Sequence, residues 1–334
     1  MSASFGRRRF LTILAAAGGW SLPRVASAGR AGSPSLYSWR GTALGADAAI
    51  EFFGVDADAA RGMLAACVGE IRRVEALFST FRPDSVLARL NRDGRLEQAP
   101  AAFLKLIGTA LEFAELTNGF FDPTVQPLWD LYAGHFAAAG ADAGGPASPA
   151  LERTRALVDF RRVTVSGRTV AFAGDGTAVT LNGMAQGYLT DRITAVLKAA
   201  GVTSALIETG EIYALGRHIF GRPWRVGLRD ATAPTRLART VALADRAIAT
   251  SAAYGTPFEP TGRHHHLFDP FTGRSAGNYR SVSVASGTAT AADALSTALY
   301  AMPLGHAFDL IDLLDGVQVW FTLPDGRTIS YGKS

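Results

Sequence analysis

With one cysteine in 334 residues, the chain has no intrachain disulfide, so its fold must hold by burial. Cys67 falls on the apolar stripe Ala60, Met63, Leu64, Cys67, Ile71, Val74, Phe78, which has a helical period. A buried structural thiol is expected there rather than a nucleophile. Long hydrophobic runs are also lacking. Beyond the N-terminal region no eighteen consecutive residues are apolar, which excludes an ordinary membrane-spanning helix there, and no repeat of fixed period points to a solenoid. A surplus of charge is missing as well. The formal net charge of +4 falls to zero once residues 1–28 are set aside, because Arg7, Arg8, Arg9 and Arg24 leave and no acid leaves with them. Without net positive charge or a Lys/Arg cluster there is no electrostatic footprint for nucleic acid, so no DNA or RNA partner is expected.

The first residues carry an address instead. Gly6-Arg7-Arg8-Arg9-Phe10-Leu11-Thr12 precedes an apolar run from Ile13 to Leu22, then Pro23 and the small-residue sequence Ala26-Ser27-Ala28. That is a charged n-region, an h-region and a cleavage site. The paired arginines followed by Phe-Leu match a twin-arginine signal, and the apolar run is short for a bilayer core of about 30 Å. The expectation is a signal peptide over residues 1–28, a single domain over 29–334, and a periplasmic location.

Apolar periodicity predicts a helix from Asp56 to Thr80 and another from Pro100 to Asn118, with Gly119 just beyond, so the N-terminal part reads as helix-rich. The Ala/Gly/Pro stretch from Ala133 to Pro149 lacks periodicity and reads as a surface loop or insertion, the best internal boundary. Two short strands follow around Ser166-Gly167, and further strand signals lie at Val179–Leu181, Ala205–Glu208, Trp224–Leu228, Thr240–Leu243, Ile248–Ser251, Ser281–Ala285 and Val317–Thr322. Helices are predicted at Met184–Ala200, Ala289–Ala301 and Ala307–Leu314. Strands and helices mix without regular βαβ alternation, so the expected class is α+β with a mainly antiparallel sheet and flanking helices.

Four polar clusters sit at element ends, where binding residues gather on a rigid scaffold. Asn118-Gly119-Phe120-Phe121-Asp122-Pro123-Thr124 follows a helix; read alone, it is better explained as a helix stop with a proline turn. Leu181-Asn182-Gly183-Met184-Ala185-Gln186-Gly187-Tyr188 reads as a strand entering a helix through two glycines, a turn able to aim N–H groups at an anion such as phosphate. In Arg263-His264-His265-His266-Leu267-Phe268-Asp269-Pro270, neighbouring histidines cannot all converge on one ion; the reading preferred is a polar loop that supplies one useful imidazole, His266. On the helix Ala292-Asp293-Ala294-Leu295-Ser296-Thr297, Asp293 and Thr297 share a face at i and i+4. A carboxylate and a hydroxyl are hard oxygen ligands that suit Mg²⁺, and the apolar flanks argue against a merely solvated face.

In this order the clusters resemble the ApbE family of FAD:protein FMN transferases, over nearly the whole chain past the signal. The likeness takes in Gly41-Thr42-Ala43-Leu44-Gly45, Phe78-Ser79-Thr80-Phe81-Arg82-Pro83-Asp84-Ser85, Leu90-Asn91, Glu208-Thr209-Gly210-Glu211-Ile212 and Ala247-Ile248-Ala249-Thr250-Ser251, besides the four clusters. The resemblance implies binding of FAD with Mg²⁺, cleavage of its diphosphate, and attachment of FMN through a phosphoester to a Ser or Thr of an exported electron-transfer flavoprotein of the Rnf, Nqr or NosR type, with release of AMP. It implies Asp293, Thr297 and a backbone carbonyl near Gly183 as metal ligands. Phe120, Phe121 and Asp122 would form part of the flavin pocket, Leu44 and Phe81 would touch the dinucleotide, and His266 would be the general base.

Three departures stand out. Where many members have Asp-Leu-Gly-Gly-x-Ala-Lys-Gly-Tyr, this chain has Thr180 at the acidic position and Gln186 at the basic one, so these expected cofactor-binding positions carry no charge. Thr209 and Ala252 replace expected glycines. The Asn-Gly-x-Ala-Gln-Gly version resembles exported, NosX-like members associated with nitrous-oxide respiration. Two other readings stay open on this sequence: a metal-dependent FAD pyrophosphatase, and a flavin-binding accessory protein without turnover.

Overall fold

The structure, a computed structural model, describes residues 35–230 and 233–333. The expected signal peptide, residues 1–28, lies outside the described residues.

Strands β1 (Leu36–Ala43) and β2 (Ala46–Phe53) form a hairpin, followed by helices α1 (Ala57–Phe78) and α2 (Val86–Asp93), the short strand β3 (Arg95–Leu96) and helix α3 (Ala101–Leu116). Helices α4 (Gln126–Ala137) and α5 (Ser148–Arg155) precede the hairpin β4 (Val163–Ser166) and β5 (Thr169–Phe172). Helix α6 (Ala185–Ala199) leads into β6 (Ala205–Glu208), β7 (Ile212–Leu215), β8 (Trp224–Asp230), β9 (Ala233–Leu243) and β10 (Arg246–Ala252). The chain closes with β11 (Phe268–Asp269), β12 (Arg274–Ser275), β13 (Ser281–Ser286), α7 (Ala289–Ala301), α8 (Leu304–Asp312), β14 (Gln318–Thr322) and β15 (Thr328–Gly332).

Eight strands make one antiparallel sheet in the order β1-β2-β6-β7-β10-β13-β14-β15. The fold is α+β with a mainly antiparallel sheet, and its first and last strands share that sheet. Period two decides which side each residue faces. On one face Ala247, Ala249, Val282, Val284, Val319 and Phe321 meet helices α1, α6 and α7 in the main core. On the other, Ile248, Ala285 and Trp320 meet Trp224, Val226, Val241 and Leu243 of the β8–β9 hairpin. Both faces of β13 are therefore covered, and every residue of it is buried.

Helix α1 shows how the sequence fixes an element. The Asp56 side chain accepts from the N–H of Ala59 and caps the helix. From there Leu64, Cys67, Ile71, Val74 and Phe78 form the buried stripe. Truncating a fully buried leucine such as Leu64 to Ala costs about 2–5 kcal/mol. Cys67 is fully buried and unpaired. Burial, with the charge of Glu70 adding, pushes its thiol up to about 12.

Helix α7 spans the residues its pattern predicted, and α6 ends at Ala199 with Gly201 left-handed at φ +84°. Two expectations are corrected. Val179–Leu181 is not a strand. Its backbone bonds go elsewhere: Asn91 donates to the carbonyl of Val179 and accepts its N–H, both at 2.8 Å, and the N–H of Thr180 donates to the carbonyl of Pro123 at 2.7 Å. The stretch from Ala133 to Pro149 is no boundary either. Its first residues belong to α4 and its last two to α5, and Leu128, Tyr132 and Leu151 from these helices pack with Phe268 in a satellite core.

Candidate functional site

The packing of α6 against α7 brings the 183–187 turn onto the polar face of α7. A Cβ on Gly187 would lie 2.2 Å from the carbonyl oxygen of Ala289, so only glycine allows the two helices this approach. The Gly187 N–H then donates to Asp293 Oδ2 at 3.0 Å. One helical turn along α7, Thr297 presses on Gly183, where a Cβ would meet Thr297 Oγ1 at 3.0 Å and the Phe121 ring at 3.3 Å. Ser251, from β10, adds its hydroxyl, 2.8 Å from Ser296 Oγ and 3.4 Å from Thr297 Oγ1.

The Asp293 carboxylate is buried, and burial, with the charge of Asp191 adding, pushes its pKa up to about 7 against the opposing Gly187 hydrogen bond. Glu211, just before β7, is the second buried carboxylate here. Burial and then the charge of Asp293 push it well above the usual range, while the backbone N–H of Thr250 opposes. Among the described residues no ion pair reaches either acid. The site has a deficit of positive charge surrounded by hydroxyls and backbone oxygens. Such hard oxygen donors suit Mg²⁺ and not a soft metal. No group of three His, Cys, Asp or Glu able to hold a metal occurs among the described residues, so a zinc-type cage is not built here.

The three histidines separate by role. His264 is buried against Tyr132 and Phe136, with Nε2 3.3 Å from the carbonyl of Ala143. His265 is buried edge-on to Tyr300 with Nε2 3.1 Å from the carbonyl of Ala276, and its Nδ1 accepts from the N–H of Leu267. Both support the loop. His266 is half-buried and faces the cleft. Its Nδ1 lies 3.2 Å from the carbonyl of Thr256, which can only accept, so Nδ1 carries the proton and Nε2 keeps a free lone pair. Burial, then repulsion from His265, lowers its pKa to about 4 against the Thr256 bond. The imidazole is neutral at neutral pH.

Phe120, Phe121, Asp122, Thr180, Gly183, His266 and Thr297 line one cleft, and Asp293 lies one turn before Thr297 on α7. Asp122 lines the cleft and also braces it. One carboxylate oxygen accepts from the N–H and hydroxyl of Thr124 and the other from the N–H of Phe160, so the acid ties the cleft wall to the segment before β4. Gln186 lies over Gly210, which is left-handed at φ +98° and whose Cβ would stand 2.4 Å from Gln186 Cδ. Thr209 bonds Thr190 Oγ1 at 2.7 Å, and Thr190 donates to the Gln186 carbonyl, so this departure from glycine braces the first turn of α6. Leu44 and Phe81 do not line the cleft; Leu44 forms the tip of the β1–β2 hairpin, and Phe81 is 72% exposed. Sequence reasoning missed Glu211 and the Ser251 hydroxyl as members of the site. A roomier cleft of about 460 Å³ opens across α6 beside Lys105, Tyr188 and Lys198. It lacks the convergent set, because its one carboxylate, Asp191, accepts from the N–H groups of Ala289 and Thr290.

A family model described as the ApbE family matches residues 44–321. A protein of Treponema pallidum named FAD:protein FMN transferase is 33% identical over 284 residues, covering 77% of this chain and 76% of that protein. Among solved structures, the ApbE protein of Thermotoga maritima superposes with a TM-score of 0.77 at 27% identity, covering 88% of this chain and 96% of its own. The flavin transferase ApbE from Vibrio cholerae gives 0.76 at 25% identity, covering 90% and 98%. With the family model spanning most of the chain, and all the helices and the cleft residues described above lying within that span, the chain belongs to the ApbE family.

Proposed function

We propose that the chain is a Mg²⁺-dependent, periplasmic FAD:protein FMN transferase that attaches FMN to a Ser or Thr of an exported flavoprotein subunit of the Rnf, Nqr or NosR type and releases AMP. The observation that carries the reading is one cleft lined by Thr297, Gly183 and the free Nε2 of a neutral His266, with the buried Asp293 one turn before Thr297 on α7. The names of the relatives support the transferase assignment. The uncompensated charge of Asp293 beside Thr297 fits a magnesium ion, and residues 7–28 support export.

Asp293, Thr297 and the Gly183 carbonyl would hold the ion, which when bound would offset the charge of the FAD diphosphate. His266 Nε2 takes the proton of the acceptor hydroxyl. The hydroxyl oxygen forms a bond to the FMN-side phosphorus, the bond from that phosphorus to the bridging oxygen breaks, and AMP leaves with the bridging oxygen. Thr256 keeps the imidazole in the required tautomer. Gln186 offers an amide to the flavin or adenine edge without charge. Phe120 and Phe121 supply an apolar wall that keeps water from the reacting phosphorus.

Purified protein with FAD, Mg²⁺ and an acceptor domain tests the reading. AMP together with flavin fluorescence that survives denaturation on the acceptor is expected. AMP with only free FMN would make the protein a pyrophosphatase, and unchanged FAD would leave a binding protein without turnover.

A further inference from the structure

From Arg217 to Arg246 the sequence holds seven arginines and two aspartates, although the chain beyond residue 28 is neutral. Spread over thirty residues, they make no compact run. Four of them, Arg225, Arg229, Arg236 and Arg239, lie on the two strands of the β8–β9 hairpin and occupy both of its faces. Among the described residues these two strands pair only with each other, and the base of the hairpin is seated on the sheet by Trp224, Val226, Val241 and Leu243. Arg225 alternates with Trp224 and Val226 and so faces away from the sheet. Beyond Val241 the arm outruns the core, and residues 235–240, Arg236 and Arg239 among them, are all exposed. Arg222, Arg225, Arg236 and Arg239 make no ion pair among the described residues. Leu237, which lies across Gly227, and Phe220 add exposed apolar surface.

The arm adjoins the candidate site. Arg229 stands near enough to Tyr254 for its charge to oppose the rise that burial imposes on the phenol. Tyr254 belongs to the single turn Ala253–Gly255, where a Cβ on Gly255 would touch the His266 ring at 3.4 Å, and the next residue, Thr256, accepts from His266.

We infer that the β8–β9 arm is the docking surface for the acceptor protein, holding an acidic stretch of it so that the neighbouring hydroxyl reaches His266. The inference rests on the transferase reading above. Opposed charge across an interface steers encounter and suppresses wrong partners. An anionic bilayer would also answer to arginines with exposed Phe220 and Leu237, and vesicle binding is therefore one outcome of the test.

The test uses the triple variant Arg225→Glu, Arg236→Glu, Arg239→Glu and two fluorescent peptides of about 20 residues, each with one Thr, alike except that one carries four Asp/Glu where the other carries Asn/Gln. The wild type should bind the acidic peptide at least about tenfold more tightly than the neutral one, and the triple variant should lose that preference while binding FAD unchanged. Equal affinity for both peptides, or an unaltered preference in the variant, overturns the inference. So does binding of the wild type to phosphatidylglycerol vesicles that the acidic peptide fails to displace. FMN transfer to an acceptor domain is read separately: its absence in the wild type refutes the transferase reading, whereas transfer with unchanged KM in the triple variant refutes only the arm.

Discussion

The backbone N–H of Leu44 donates to Glu75 Oε1 at 3.0 Å, so a carboxylate on α1 holds the tip of the first hairpin. The tip needs holding. Leu44 and Gly45 form a two-residue turn in which both are left-handed, at φ 50° and 83°. Asn-Gly is the usual choice for such a turn, and leucine is strained there. Glu75→Ala should cost about 1 kcal/mol and lower the melting temperature by about 2 °C. Glu75→Gln keeps an acceptor and should melt near the wild type; if the two variants melt alike, the bond contributes nothing.

Asp293→Asn retains an oxygen for the Gly187 N–H while removing a buried charge. Without divalent metal this variant should be more stable than the wild type, because an unpaired buried carboxylate is costly to desolvate. Mg²⁺-dependent FAD turnover should fall by about a hundredfold or more. Calorimetry in chelator and an AMP assay read the two effects, and full turnover in the variant would refute the metal assignment.

For His266→Ala the expectation is unchanged FAD affinity with transfer slowed about 10²–10⁴-fold, the usual range for a lost general base. Transfer at the wild-type rate across neutral pH would remove His266 from the chemistry.

Glu70 bridges α1 and α6 through Arg192, at 2.7 Å, and also accepts from Arg73. The Arg73 bond foremost, then that of Arg192, hold its carboxyl down to about 2, from 4.5. A carboxyl depressed in the folded state stabilises above its unfolded value and loses that contribution as pH falls toward the folded one. The contribution is thus present above about 4.5 and drains between there and about 2; solvent screening at this partly exposed pair limits it to about 1 kcal/mol. Wild type and Glu70→Gln should differ in denaturant midpoint at pH 7 and converge toward pH 2–3. A difference that stays constant over that range would mean the bridge acts by packing alone.

Period and spacing made parts of this fold and site legible. Asp293 and Thr297 could be placed on one helical face from i, i+4 spacing alone, and α7 follows its apolar pattern to both ends. Residues whose partners are distant in sequence were not legible. Val179 has the composition of a strand residue, yet Asn91, 88 positions away, takes both its backbone groups. Asp122 lines the cleft, but that its carboxylate also accepts from Phe160, 38 residues on, could not be read from its motif. Glu211 gave little warning, because one acid beside a strand looks like any solvated end. Alanine and glycine hid the ends of α4 and α5, although Trp129, Tyr132 and Phe136 already had helical spacing. The arginines share a window of thirty residues, but only the pairing of β8 with β9 lays Arg236 and Arg239 alongside the strand that carries Arg225 and Arg229.

Cys67, sealed inside α1 with its thiol held in the protonated form, leaves the rest of the chain free of competing sulfur chemistry. Any cysteine placed on the surface would therefore be the sole thiolate open to a maleimide dye in the native state. A probe on β9 and another on α3 could then be installed in separate preparations without first removing the native residue, and the movement of each followed by fluorescence.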